Sequence, residues 1–379
     1  MSFKTSEKHE QFRKEVRAFA EQEIKPIAFK LDQEDIFPTE IVKKMAERGW
    51  MGLPFEKEYG GAGLDNQYYS ICVEELSRVD AGCGVIVSAH TSLGTWPIYN
   101  FGTEEQKKKY LIPLAKGEHI GAFGLTEQHA GSDAGGTETT AVLDGDHYVL
   151  NGSKIFITNG SKADTYVIFA VTSPEKGTHG ISAFIVEAGW EGFTYPTVYN
   201  KLGIRSSVTA ELNFKNVIVP KENLLGEEGQ GFAIAMATLD GGRIGMASQA
   251  VGIAEGAIDL AVAYAKERVQ FKKPISANQG IQWYFADIAT STEAAKMLTL
   301  QAADLRQRGQ NIGKLAAMAK YYASENAVTV TNKALQIHGG YGYMKEYAIE
   351  RMYRDARITT LYEGTSEVQK MVISRAVLS

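Results

Sequence analysis

The chain predicts an α+β protein in three parts: an N-terminal helical domain (residues 1–120), a central antiparallel β-barrel or sandwich (121–228) and a C-terminal four-helix bundle (229–379). Three observations carry this. Phe12, Val16, Phe19 and Ile24 recur at helical spacing, and helical stretches continue to about residue 120. β-branched and aromatic runs then take over without helices between them, which favours antiparallel pairing over βαβ units. From Gly229 helical spacing returns. Ile244, Ala247, Val251, Ala254, Ile258, Ala261 and Ala265 form a narrow seam of mostly small residues suited to close helix packing.

In order, Ser6 is placed to cap the first helix, and Pro38-Thr39 starts a short one ending near Gly49. Tyr59–Leu64 (YGGAGL) must be a loop; Asn66–Val79 and Glu104–Leu114 read as helices. Asn151-Gly152, between Tyr148–Leu150 and Ile155–Ile157, predicts a tight hairpin. Tyr166–Val171 and Ile181–Val186 are strands. After the seam helix come helices over Gln282–Arg308, Lys314–Ile337 and the stretch beyond Thr365.

The 379 residues are 44% hydrophobic and 22% charged, an ordinary globular balance. The formal charge of -5 argues against nucleic acid as a partner. Cys72 and Cys83 form no cluster, and the seven histidines include no HExxH, so no metal is expected. The N-terminus is charged and lacks an apolar core, so no secretory signal is expected. With no apolar run of about eighteen residues, neither is membrane insertion, and a cytoplasmic location follows as the expectation. GxGxxG, GxxxxGK[ST] and GxSxG are absent, which leaves a nucleotide cofactor to bind by another device.

Five segments stand out. Phe123–Asp133 (FGLTEQHAGSD) is rich in small and hydroxylated residues, able to approach a flat heterocycle or a phosphate. Phe156–Gly160 (FITNG) offers a ring followed by hydroxyl and amide groups. Taken singly, both read better as ordinary connections. Asp240-Gly-Gly-Arg243 places two glycines in a helical pattern, each costing about 1 kcal/mol against alanine; a ligand or a close helix contact accounts for them equally. Gln336–Tyr343 (QIHGGYGY) has three glycines in four residues, more than a helix terminator needs. In Leu361–Glu367 (LYEGTSE), Glu363 stands among apolar and hydroxylated groups before a helix that Thr365 can cap. A carboxylate so placed has a raised pKa and suits a general base, although glutamates beside caps are usually solvated.

Together and in order, these segments, with Glu267–Phe271 (ERVQF), resemble the acyl-CoA dehydrogenase family over essentially the whole chain, with the closest likeness to bacterial short-chain, butyryl-type members. The resemblance implies FAD as cofactor, contacted by Phe123, Leu125, Thr126, Gly131 and Ser132, and at the ring and its N5 edge by Phe156, Ile157 and Thr158. Arg268 and Gln279 would reach the FAD of a neighbouring subunit, and Gln270 and Phe271 would also contact FAD. Gln336, Ile337, His338, Gly339 and Gly340 would hold its pyrophosphate end, and Thr365 and Glu367 would complete the site. Ser132, Asp240, Gly241, Gly242, Arg243 and Gly364 would contact the acyl-CoA. Gln128, Lys272 and Phe156 depart from the family's common proline, glycine and tryptophan.

The implied reaction removes an α-proton and a β-hydride from an acyl-CoA to give the trans-2-enoyl-CoA. Glu363 would be the base and flavin N5 the hydride acceptor, with electrons passing to an electron-transfer flavoprotein. A homotetramer is also implied. Asp240 lies where a related branch of the family draws its base, but it is short, and Glu363 fits better. The helix over Ala81–Tyr99 has no Lys or Arg, so weak activity on glutaryl-CoA is expected. Two rivals remain: a flavin oxidase or monooxygenase on the same fold, distinguished by rapid reoxidation in air, and a non-catalytic helical binding protein, which would be colourless.

Overall fold

The computed structural model describes residues 5–379; the first four, part of the charged N-terminus, lie outside the described residues. The N-terminal helices are α1 (Glu7–Phe19), α2 (Lys25–Gln33), α3 (Thr39–Glu47), α4 (Asn66–Ser77), α5 (Ala81–Ala89), α6 (Trp96–Phe101), α7 (Glu104–Gln106) and α8 (Ile112–Lys116). Ser6 caps α1 as expected, accepting from His9 N at 3.3 Å, and Phe12, Val16, Phe19 and Ile24 are all buried. Single π-helical turns, Ala20–Ile24, His90–Thr95 and Lys107–Leu111, join α1 to α2, α5 to α6 and α7 to α8. The buried His90 ring links its turn to the next domain, accepting from Gly121 N at 2.9 Å and lying 3.1 Å from Leu114 O.

The central strands are β1 (Gly121–Gly124), β2 (Thr140–Asp144), β3 (His147–Thr158), β4 (Thr165–Val171), β5 (Ile181–Glu187), β6 (Phe193–Thr194), β7 (Thr209–Pro220) and β8 (Leu224–Leu225). They form one sheet in the order β6-β7-β3-β2-β4-β5-β8, with β1 beside β4. Two expectations are corrected. Pairing is not wholly antiparallel, because β1 runs parallel to β4. Nor is there a hairpin at Asn151-Gly152: β3 continues through it, and the turn falls at Gly145-Asp146, where Asp144 pairs with His147. Asn151 instead faces a bulge in β7, where Lys215 and Asn216 together stand opposite it. A Cβ on Gly152 would lie 2.7 Å from Thr139 Cα, and Asn151 Oδ1 accepts from Asn216 N at 2.8 Å. A second register shift, between Lys154 and Ile157, turns Phe156 outward with φ +59°.

The C-terminal part comprises α9 (Gly231–Glu267), α10 (Gln279–Gln307), α11 (Gly313–His338), α12 (Ala348–Ile358) and α13 (Ser366–Leu378). The four expected helices are present; α12 is a fifth that the sequence reading missed. On the α9 seam all but Ile258 are buried, packed with Ala316, Ala319, Ala323 and Ala327 of α11. By length and composition α9 is apolar enough to cross a membrane, yet 67% of that window is buried inside the protein, as in a core helix. α4 also packs on α9, with Ser70 Oγ 2.7 Å from Ser248 Oγ. Glu74, Glu75 and Glu255 converge between these elements, and Arg13, Arg17, Arg78 and Lys296 neutralise them.

Candidate active site

Glu363 lies in the turn between α12 and α13. Its φ is +51° and that of Gly364 is +89°, a left-handed pair costing roughly 1–3 kcal/mol at the non-glycine position. Side chains hold it. Gln369 Nε2 donates to the carbonyls of Glu363 at 3.1 Å and Gly364 at 2.9 Å, and Lys320 Nζ donates to Gly364 O at 2.6 Å. Thr365 caps α13, accepting from Val368 N at 3.3 Å, while Glu367 points to solvent in the first turn.

The residue as a whole is half-buried, but its Oε2 is sealed from solvent and has no hydrogen-bond partner. The carboxylate rests on the bare backbone of Gly242. A Cβ there would strike Oε2 and lie 2.8 Å from Leu93 Cδ2. Gly241 similarly gives space to the guanidinium of Arg306, which lies 4.9 Å from the Trp96 ring. Both glycines thus serve side chains of this protein. Arg243 pairs with Asp240 one turn away, and its Nε is buried without a partner. Burial pushes the Glu363 carboxyl up to about 7, against the opposing pull of Lys320 and Arg243. The same burial lowers Lys320 to about 8.

Beside this turn is a cavity of about 300 Å³ lined by Phe156, Thr158, Tyr199, Leu202, Ile358 and Tyr362, among others. Phe156 is 61% exposed and its ring centroid is 5.1 Å from that of Tyr199. Ile157, by contrast, is buried in the sheet. Upstream, Phe123 packs edge-on against Phe169, Leu125 is buried, and Gly131 and Ser132 are exposed. The Phe123–Asp133 loop is fixed from beneath. Thr126 O accepts from Ile155 N at 2.9 Å, and the buried Lys154 Nζ donates to Glu127 Oε1 at 2.6 Å. Glu127 also accepts from Glu138 N at 2.7 Å and Thr139 N at 3.1 Å.

A second, more open cleft of about 460 Å³ gathers Arg268, Gln270, Ile337, His338, Gly339 and Gly340 with Tyr264 and Tyr341. Tyr264 stacks on His338, with centroids 4.4 Å apart, and the Arg268 guanidinium lies 5.3 Å from the Tyr341 ring. Gly339 has φ +59°, and a Cβ on Gly339 or Gly340 would meet nothing within 4 Å. The backbone there faces open space, which fits close approach by a ligand. Three predicted contacts do not line this cleft: Gln336 and Gln279 are exposed elsewhere, and Phe271 is 93% exposed at a hairpin tip. Sequence reasoning missed Lys320, Gln369, Leu93, Arg306 and the Tyr199–Ile204 wall.

The fold, with a β-sheet domain between two helical ones, is that of a flavin-dependent dehydrogenase. The descriptions "Acyl-CoA dehydrogenase, N-terminal domain", "middle domain" and "C-terminal domain" match residues 6–118, 122–217 and 229–378. A short-chain-specific acyl-CoA dehydrogenase of Clostridium acetobutylicum is 59% identical, over 99% of both chains. A subunit of the caffeyl-CoA reductase–Etf complex of Acetobacterium woodii is 50% identical, over 98% of this chain and 99% of that one. The butyryl-CoA dehydrogenase structure of Megasphaera elsdenii superposes with a TM-score of 0.98, at 49% identity and with 100% of each chain covered. The chain belongs to the acyl-CoA dehydrogenase family, and it is an FAD-dependent oxidoreductase.

Proposed function

We propose that this enzyme converts a short-chain acyl-CoA to its trans-2-enoyl-CoA, with Glu363 removing the α-proton. The observation that carries the assignment is the sealed, unpaired Glu363 carboxylate, held near pKa 7 in the turn whose Leu361 and Tyr362 line a cavity with Phe156 and Thr158. A base near neutrality balances availability against proton affinity. FAD, when bound, supplies the hydride acceptor. Phe156 and Thr158 would flank its ring system, with Phe123, Leu125, Thr126, Gly131, Ser132 and Ile157 forming or backing the same wall. Arg268, Gln270, Ile337, His338, Gly339 and Gly340 would hold the nucleotide end; Phe271, Gln279 and Gln336, lying outside that cleft, would reach it only across a homotetramer interface. The Glu363 N–H is assigned to the thioester oxygen, where charge develops. Arg243 contributes its field to the base, and Asp240 fixes Arg243. Electrons pass to an electron-transfer flavoprotein, a partner supported by the relative from an Etf complex.

A second reading runs the chemistry backwards, as a 2-enoyl-CoA reductase with Glu363 as the acid. The near-neutral carboxyl suits either direction, and the same relative is named a reductase. Anaerobic addition of an acyl-CoA panel to the purified yellow protein tests the function: butyryl-CoA should bleach the flavin band, and Glu363→Gln should abolish bleaching while retaining colour. Turnover retained by Glu363→Gln would move the base elsewhere. Net saturation of an enoyl-CoA with reduced electron-transfer flavoprotein, faster than net oxidation, would select the second reading.

A further inference from the structure

Lys320 has no place in the chemistry above, yet it is fully buried on α11. It interrupts a stripe of alanines, four residues after Ala316 and three before Ala323. Burying an ammonium costs several kcal/mol unless the charge is compensated. Among the described residues its hydrogen bond goes to a main-chain carbonyl, that of Gly364, at 2.6 Å. Gln369 Nε2 reaches the same oxygen at 2.9 Å, so both lone pairs are engaged.

We propose that Lys320 is a positioning residue for the base: its ammonium clamps the Gly364 carbonyl, fixes the left-handed Glu363–Gly364 turn, and sets the field in which the carboxylate ionises. This rests on the assignment of Glu363. The cations acting on that carboxylate are Lys320 from α11 and Arg243 from α9; Glu325 from α11 and Glu367 from α13 act in turn on Lys320, Asp240 from α9 acts on Arg243, and the phenols of Tyr69 on α4 and Tyr362 in the turn feel the carboxylate. Lys320 exerts the largest downward pull on Glu363, ahead of Arg243. Without it, desolvation acts less opposed and the base holds its proton to higher pH.

The test compares Lys320→Met, which removes both charge and donor, with Lys320→Gln, which keeps a donor. In anaerobic bleaching by butyryl-CoA, the acid limb of the pH profile should move up by about one unit in both variants. The plateau rate should fall about tenfold in Lys320→Met and recover in part in Lys320→Gln, with flavin content preserved. A flavin-loaded Lys320→Met with wild-type limb and rate overturns the proposal. So does loss of fold in both variants, which would make the lysine purely structural. If Glu363→Gln still turns over, the assignment of the base fails; if it is inert and the limb is unmoved, only the role of Lys320 fails.

Discussion

Replacing Gly242 with alanine tests the site more sharply than deleting the base. The added Cβ would overlap Glu363 Oε2, lie 2.8 Å from Leu93 Cδ2 and 3.2 Å from Glu363 Cδ. Ordinary contact starts near 3.4 Å, so the carboxylate must retreat by about 1 Å. The helix itself gains about 1 kcal/mol from the exchange, while overpacking costs about 1–3 kcal/mol. Net stability should therefore change by no more than about 2 kcal/mol, and the melting temperature by a few degrees. Catalysis has no such offset: a misplacement of about 1 Å costs roughly a hundredfold. The assay is single-turnover bleaching by butyryl-CoA, with flavin content and melting temperature measured on the same sample. A flavin-loaded Gly242→Ala that bleaches within threefold of wild type (a difference of about 0.7 kcal/mol) would refute the contact.

Other outcomes follow from the same geometry. Glu363 is raised from 4.5 to about 7 in the folded state, so it destabilises the fold as pH climbs through that window and not below it. Glu363→Gln should thus gain stability over wild type between about pH 5 and 8, by at most about 3 kcal/mol; a pH-independent difference in melting temperature would contradict this. Lys154→Met leaves Glu127 buried and unpaired, and should cost about 3–5 kcal/mol and loosen flavin retention; thermal unfolding with flavin release measures both, and an unchanged melting temperature would count against the pair. The stretch from α5 through α6 carries no Lys or Arg, so desolvating a second carboxylate should reduce kcat/KM for glutaryl-CoA by about a hundredfold or more relative to butyryl-CoA. Comparable constants would show that another cation, with Arg306 the first candidate, reaches the acyl end.

The helices of the fold were legible because their stripes are long: Phe12 to Ile24, and the seam from Ile244 to Ala265, each admit one reading. Asn151-Gly152 misled because local turn chemistry was weighed without the partner strand. Thr139 and Asn216 explain the glycine and the asparagine, and both are distant in sequence. α12 escaped because Glu350, Arg351, Arg354, Asp355 and Arg357 mask its apolar face; Arg351 and Asp355 are nevertheless buried, Asp355 accepting from Ile204 N at 2.5 Å. At the site, the setting of Glu363 among apolar and hydroxylated groups before a capped helix was legible, while its role as base was proposed from the family resemblance. The reason for Gly241 and Gly242 was not, since Arg306 approaches from α10 and Glu363 from the turn before α13, both distant in sequence. Lys320 did leave a signal: a lone lysine in an alanine stripe.

The serine pair joining α4 to α9 spans 178 residues of chain. The N-terminal helices have a core of their own, from Phe12 to Val87, but the face of α4 and α5 that packs on α9 stays uncovered until the entire sheet and the start of α9 have followed. At about 5–20 residues per second that wait is roughly ten to forty seconds, with the acidic pair Glu74–Glu75 missing its lysine from α10. Nascent chains stalled after the sheet should be protease-sensitive upstream of it and engage chaperones, however well formed the sheet has become.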